Sequence, residues 1–157
     1  MRTNAALYEH DLYAWTQEQV ALLREGAVHE LDLEHLIEEM EDVGHSQRDA
    51  LASHLVILLT HLLKLAIAAR HLPHDLARAG RGWRGTCRTQ RLQMAKRLRR
   101  NPSLHTIVPE ECADAYAIAR VEAAIALDIE EATLPPVCPW TPEQVLDDDF
   151  WPEEATP

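Results

Sequence analysis

Apolar residues recur three or four positions apart along most of the chain, which is the spacing of one face of an α-helix. No stretch shows the sustained alternation of apolar and polar residues that a half-buried strand requires. The pattern therefore predicts an all-α protein. A first helix is expected from Asp11 to Arg24, and Gly26 follows its last turn as a C-terminal stop.

A second helix is predicted after Asp32, because aspartate caps helix N-termini well. Its apolar stripe consists of Leu33, Leu36, Ile37, Met40 and Val43. A third helix is predicted after Ser46, with a stripe of Leu51, Leu55, Leu58, Leu62 and Leu65. Without a break, residues 33–72 would form a rod of about 60 Å, whereas a compact domain of this size measures about 40 Å across. We therefore expect a break or bend at Gly44.

Two further helices are predicted on either side of Pro102. The fourth follows Pro73 and a glycine-rich turn, begins near Trp83 and buries Trp83, Cys87, Met94 and Leu98. The fifth begins at Pro109, where proline and the two following acids suit the positive end of a helix. Its buried seam is predicted to contain Cys112, Tyr116, Ala119, Ala123 and Leu127.

The segment from residue 133 to residue 152 is rich in proline yet carries several large apolar residues. These anchors favour a strap that packs across the helices over a disordered tail. Within it, Thr141, Pro142 and Gln144 have the pattern of an N-cap, a first-turn proline and a capping box, which predicts one short helix. The expected architecture is an antiparallel bundle of four to five main helices, with a core over about residues 8–130 and the C-terminal strap.

The length of 157 residues fits a single domain, 1–157, that can bury a core without a metal or a disulfide. The three cysteines are widely spaced and odd in number, which favours reduced thiols. The first residues lack the pattern of a signal peptide, and the apolar run from Leu55 to Ala69 is interrupted by His61 and Lys64. We therefore expect a cytoplasmic protein that does not cross a membrane.

Charge is strongly segregated along the chain. The formal net charge is -11, yet the segment from Leu76 to Pro109 has nine basic residues and no acid. The basic residues are Arg78, Arg81, Arg84, Arg88, Arg91, Lys96, Arg97, Arg99 and Arg100. Arginine favours bidentate pairing with carboxylate or phosphate. The candidate binding residues are Arg84, Arg88, Arg91, Lys96, Arg97, Arg99 and Arg100.

Three uses of this basic segment compete. Its arginines can pair with acidic helices of the same chain or of a second copy, which is the favoured interpretation because 26 acids surround them. They can instead bind an acidic protein partner. Binding of nucleic acid through residues 78–100 is disfavoured, because the surrounding negative field repels polyanions.

Nine histidines raise the question of a metal site. His54 and His61 lie two turns apart on one predicted helix, and Glu38 and Glu41 could approach them if the chain folds back at Gly44. Bundle metal sites typically use Glu-x-x-His pairs, however, and no such pair occurs here. Structural histidines are therefore the favoured interpretation, and no cofactor is predicted. Motifs of nucleophilic catalysis and of phosphate loops are also absent from the sequence.

Five motifs together resemble one known family. They are LDLEHLIEEMEDVG, HLLK at His61 to Lys64, W-x-x-T-x-x-x-Q-R from Trp83 to Arg91, NPSL at Asn101 to Leu104, and CPWTPEQVLDDDFWP. In this order they are similar to the bacterial family called domain of unknown function 29, roughly over Tyr8 to Pro152. The resemblance implies a small, all-α, bundle-like bacterial protein, and it supplies no activity or catalytic residues.

The sequence as a whole favours a non-catalytic protein-interaction module. Self-association is a second form of this interpretation. Two alternatives stay open: a metal-dependent enzyme that uses the His and Glu group, and a nucleic-acid-binding protein that uses the basic segment.

Overall fold

The computed structural model describes residues 4–152, and it contains helices but no strand within that range. The α-helices are α1 (Asn4–His10), α2 (Leu12–Glu25), α3 (Leu33–His71), α4 (Pro73–Arg100), α5 (Val108–Leu127) and α6 (Pro142–Leu146). Short 3-10 turns lie at Val28–Glu30, Pro102–Thr106 and Glu131–Thr133. The all-α fold class is confirmed. The contacts group the chain into two compact units, Met1–Ser46 and Gln47–Pro157, and the expectation of a single domain stays a prediction.

In the N-terminal unit, both ends of α2 match the sequence prediction. The Asp11 carboxylate accepts a hydrogen bond of 3.0 Å from the backbone N–H of Ala14, as an N-cap does. Gly26 ends the helix with a φ of 73°, a left-handed conformation that glycine adopts without strain. The short α1 that precedes α2 has no counterpart among the predicted helices.

The N-terminal unit is held together by a polar and aromatic core. Trp15 is buried and donates a hydrogen bond of 3.1 Å from Nε1 to the Asp32 carboxylate. The buried Gln19 accepts the backbone N–H of Asp32 at 2.8 Å. Tyr8 stacks on the His35 ring with the centroids 4.0 Å apart. These contacts fix the start of α3 against α1 and α2.

The predicted break at Gly44 is wrong, because α3 is one helix from Leu33 to His71, whereas a bend there stays a prediction. Gly44 is exposed, and a glycine inside a helix costs only about 1 kcal/mol relative to alanine, which lowers stability without forcing a break. By length and composition α3 is apolar enough to cross a membrane, but half of its most apolar window is buried and a core helix passes the same test.

In the C-terminal unit, side-chain contacts show that α3 and α4 run antiparallel. Arg97, near the end of α4, donates a hydrogen bond to Gln47 at the start of this unit. At the other end, the ammonium of Lys64 lies 4.7 Å from the ring centroid of Trp83. Later residues of α4 therefore meet earlier residues of α3, which is the register of an antiparallel pair.

The pairing of α3 with α5 has the opposite sense. Arg48 forms an ion pair with the buried Glu111, and further along both helices Thr60 donates a hydrogen bond of 3.1 Å to Glu122. Later residues of α5 meet later residues of α3, so α3 and α5 are parallel. Helix α4 is antiparallel to both. The core between them is formed mainly by Leu51, Leu55, Leu58, Leu62, Cys87, Met94, Cys112, Tyr116, Ala119 and Ala123.

The predicted start of the fourth helix near Trp83 is also wrong, since α4 begins ten residues earlier at Pro73. Proline at the first helical position is already fixed at a helical φ, and Asp75 in the first turn suits the positive helix end. The glycine-rich segment is therefore helical and does not form a turn.

The strap over residues 133–152 contains the predicted short helix. Thr141 accepts the backbone N–H of Gln144 at 3.2 Å, and the Gln144 side chain accepts the backbone N–H of Thr141 at 2.9 Å, so the capping box is complete. Leu134, Val145 and Trp151 are buried in the core of the C-terminal unit. Val137, by contrast, is exposed.

Candidate anion-binding site on the basic helix

Six basic residues of α4 form two groups with different surroundings. The first group contacts Trp151 of the strap. The guanidinium carbons of Arg84, Arg88 and Arg91 lie 4.6, 5.7 and 4.9 Å from the centroid of its ring. Cations at these distances are attracted to the negative face of an indole. These three candidate binding residues therefore help to hold the strap on α4.

Arg91 is the central residue of this first group. It is only 2% exposed, and its Nε donates a hydrogen bond of 2.9 Å to the carbonyl oxygen of Val145. Its Nη2 donates a second bond of 3.0 Å to the carbonyl oxygen of Phe150. A buried guanidinium that satisfies two backbone carbonyls in this way is a structural link between α4 and the strap.

The second group of basic residues lies at the end of α4 and lines an open cavity of about 340 Å³. We call this the basic cavity, and its lining residues are Gln47, Gln93, Lys96, Arg97, Arg100 and Asn101. Arg97 is partly buried and donates from Nη1 to Gln47. Its Nε is buried and has no hydrogen-bond partner among the residues that the structure describes.

The cations of the basic cavity have no carboxylate partner within residues 4–152. In that range no Asp or Glu oxygen lies within 4.0 Å of a side-chain nitrogen of Lys96, Arg97 or Arg100. The same holds for the neighbouring Arg99. Three acids of this unit pair with other arginines: Arg48 pairs with Glu110 and Glu111, and Arg120 pairs with Glu131.

Arg48 shows how a carboxylate partner changes the pKa of an arginine in this unit. Its hydrogen bond and ion pair with Glu111 raise the pKa of the Arg48 guanidinium. At the basic cavity, by contrast, Lys96, Arg97 and Arg100 have no carboxylate oxygen within 4.0 Å among residues 4–152. The C-terminal end of α4 adds about half a negative elementary charge beside these three cations.

The side chains of the basic cavity are hydrogen-bond donors that suit an anion. Guanidinium and ammonium groups donate to carboxylate or phosphate oxygens, and the amide groups can complete the hydrogen bonding of such an anion. None of the six lining residues supplies a carboxylate, imidazole, thiol or hydroxyl that could act as a base or a nucleophile. The arrangement can hold an anion in place.

Four of the residues that line this cavity can be grouped from the sequence alone. Gln93, Lys96, Arg97 and Arg100 follow one another along one face of a helix, at spacings of three and four. Gln93 is not among the predicted binding residues, although its position qualifies it. Gln47 comes from a different helix, and only the pairing of α3 with α4 reveals its place in the cavity.

The two candidate metal-binding histidines have other partners in the structure. His54 Nδ1 lies 2.6 Å from the side-chain oxygen of Gln90, and His61 Nδ1 lies 2.8 Å from the carbonyl oxygen of Ile57. Burial lowers the pKa of His61. The His54 ring is thus hydrogen-bonded to α4, and the His61 ring is hydrogen-bonded within α3.

The two candidate carboxylate ligands do not approach these histidines. Glu38 and Glu41 are exposed on the N-terminal part of α3, and that helix does not fold back at Gly44. Over residues 4–152, no group of three or more His, Cys, Asp or Glu side chains is placed to hold a metal.

Comparison with known proteins matches residues 7–151 to the family described as "Domain of unknown function DUF29". Because the match covers nearly all of the sequence, the chain belongs to this family. No curated protein and no solved structure matches the chain. The family description assigns no activity, so a function has to be argued from the contacts and charges above.

Proposed function

We propose that this member of the DUF29 family is a protein-interaction module whose basic cavity binds an acidic segment of a partner protein. The observation that supports the proposal is the contrast between the two groups of α4. The arginines near Trp151 hold the strap, whereas Lys96, Arg97 and Arg100 have no carboxylate within the described residues. Three such cations around one cavity supply the donors that an Asp or Glu side chain would accept.

An acidic protein segment suits this surface better than a nucleic acid does. The chain has a net charge of -11, and its field repels a long polyanion while a short acidic segment can still reach one positive cavity. Single-stranded nucleic acids also use exposed aromatic rings on which bases stack. The six described lining residues of the basic cavity include no aromatic ring, and Trp151, which packs on the same helix, is buried.

The three cysteine thiols support a reducing compartment as the site of this function. Cys87, Cys112 and Cys138 form no disulfide, and the first two are buried. Burial raises the pKa of the Cys112 thiol to about 12, which leaves almost no reactive thiolate at neutral pH. A cytoplasmic location is therefore part of the proposal.

The experiment that tests the proposal compares three labelled probes by fluorescence anisotropy at low salt. They are a peptide rich in Asp and Glu, a matched peptide with Asn and Gln at those positions, and a mixed-sequence single-stranded DNA. The expected result is that the acidic peptide binds, that binding weakens as salt is added, and that the amide peptide does not bind. Tighter binding of the DNA than of the acidic peptide would replace this function by nucleic-acid binding.

A further inference from the structure

The first half of α3 exposes an apolar stripe that no packing inside the described part of the N-terminal unit uses. Leu33, Ile37, Met40 and Val43 are exposed to 54%, 59%, 77% and 62%. Single exposed apolar residues are common on protein surfaces, but four on one helix segment form a patch. An apolar stripe at this spacing normally packs against other apolar groups. We call these four residues the α3 stripe.

The α3 stripe lies on a different side of the helix from the contacts with α1 and α2. At 100° per residue, Leu33, Ile37 and Met40 fall within about 60° of one another. His35 and Glu39 lie on another side, where Tyr8 stacks on the His35 ring and donates a hydrogen bond of 2.9 Å to Glu39. The N-terminal unit therefore buries one side of α3 and exposes another.

The charged residues of the N-terminal unit are almost all negative. Residues 1–46 contain eleven Asp or Glu against two Arg, and no Lys or Arg occurs in residues 25–47. Glu34 and Glu41 are seven residues apart, so they lie along one edge of the stripe. An apolar surface with an acidic edge attracts a cationic partner and repels an anionic one.

We propose that the α3 stripe binds a basic amphipathic helix of a partner protein. The partner's apolar residues would pack on Ile37 and Met40, in the way that amphipathic helices bind apolar surfaces through anchors at helical spacing. Its Lys or Arg side chains would pair with Glu34 and Glu41. Side-by-side pairing of two such stripes would bring acid against acid, which disfavours a second copy. The α3 stripe belongs to the N-terminal unit and the basic cavity to the C-terminal unit, and this proposal does not depend on the function of the cavity.

The test uses the full-length protein and two designed helical peptides that share the same leucine positions. One carries Lys beside the leucines, and the other carries Glu at the same places. We expect the Lys peptide to bind, with an affinity that falls as salt is added, and the Glu peptide not to bind. The double variant Glu34→Gln/Glu41→Gln should weaken binding of the Lys peptide several-fold, because it removes the charges that select a cation.

Two matched double variants test the apolar part of the surface. Ile37→Gln/Met40→Gln should weaken binding of the Lys peptide by about tenfold or more, since a few central anchors supply most of the binding energy of such an interface. Leu92→Gln/Ile118→Gln is the control, because these residues are exposed to 69% and 54% on other helices, and it should leave the affinity unchanged. Equal effects of the two variants would overturn the proposal.

Two further measurements test the other possible occupants of the α3 stripe, which are another part of this chain and a second copy of it. If the stripe packs within this chain, Ile37→Gln/Met40→Gln lowers the thermal midpoint well below that of the control variant, and the proposal fails. If light scattering shows a dimer that this variant dissociates, a second copy occupies the stripe, and the proposal also fails. An unchanged midpoint and a monomeric mass, together with loss of the Lys peptide, are the expected results.

Discussion

The buried guanidinium of Arg91 donates a hydrogen bond of 2.9 Å to the carbonyl oxygen of Val145, so that the middle of α4 is joined to α6 of the strap. A second bond from the same side chain reaches the carbonyl oxygen of Phe150 at 3.0 Å. The side chain is thus a structural group at a position where the sequence suggests a binding residue. The strap depends on it more than on any exposed ion pair, because exposed pairs contribute only about 0 to 1 kcal/mol.

Replacement of this arginine should destabilise the protein. Arg91→Ala leaves two carbonyls without their donor and a void beside Trp151, so the free energy of unfolding should fall by about 2 to 3 kcal/mol. Arg91→Lys should lower the free energy of unfolding by less, because lysine keeps the positive charge. It should still be destabilising, because lysine lacks the forked guanidinium that reaches both carbonyls. Arg81→Ala, an exposed change on the same helix, should stay within about 0.5 kcal/mol of the natural protein. Urea unfolding measures all three, and equal losses in Arg91→Ala and Arg81→Ala would refute the structural role.

Two glycines should respond in opposite directions to the same substitution. Gly44 lies inside α3 with open space where an alanine methyl group would sit, so Gly44→Ala should raise the free energy of unfolding by about 0.5 to 1 kcal/mol. Gly26 has a φ of 73°, so Gly26→Ala should lower that free energy by about 1 kcal/mol. Thermal unfolding of both variants checks the pair. Destabilisation by Gly44→Ala would show that the helix does not continue through this residue.

Stability of the N-terminal unit should depend on pH through Asp32 and His35. The hydrogen bond to Asp32, 2.8 Å from His35 Nδ1, raises the pKa of His35 above its usual 6.5. Desolvation acts to raise the pKa of Asp32, but hydrogen bonds from His35 and Trp15 outweigh it and lower that pKa below 3.8. The stabilisation by charged His35 is therefore full below its unfolded pKa and is lost as pH rises through its folded pKa. The part due to Asp32 is lost as pH falls through its lowered pKa.

A titration by NMR and a variant check this dependence. In the natural protein the pKa of the His35 ring should lie above 6.5, and in Asp32→Asn it should be lower than in the natural protein. The stability difference between the natural protein and His35→Gln should shrink as pH rises from about 6.5 through the raised pKa of His35. A difference that grows with pH would contradict the assigned ion pair.

Local signals in the sequence predict local structure well. The pattern at Thr141 and Gln144 predicts the capping box, and Asp11 with Gly26 predicts both ends of α2, because these motifs act over a few neighbouring residues. The predicted break at Gly44 is wrong for a physical reason. The cost of one exposed glycine is only about 1 kcal/mol relative to alanine, so a long helix can continue through it.

The division of the basic residues could not be predicted from the sequence. Arg91 and Arg97 have the same chemistry and lie on one helix, yet Arg91 contacts a strap 54 residues away and Arg97 contacts α3. Only the tertiary arrangement decides which arginine is buried against carbonyls and which lines a cavity. The exposure of the α3 stripe could not be predicted for the same reason, because its spacing is that of a buried helix face.

The affinity of the acidic peptide for two double variants of equal charge tests the central claim most directly. Lys96→Gln/Arg100→Gln removes two cations of the basic cavity, and Arg78→Gln/Arg81→Gln removes two exposed cations elsewhere on α4. The first variant should bind at least about tenfold more weakly than the natural protein, or about 1.4 kcal/mol. The second should change affinity less than about twofold, because Arg78 and Arg81 are exposed outside the basic cavity and Arg78 already pairs with Asp75 at 3.2 Å. Equal losses in both variants would contradict a binding site at the basic cavity.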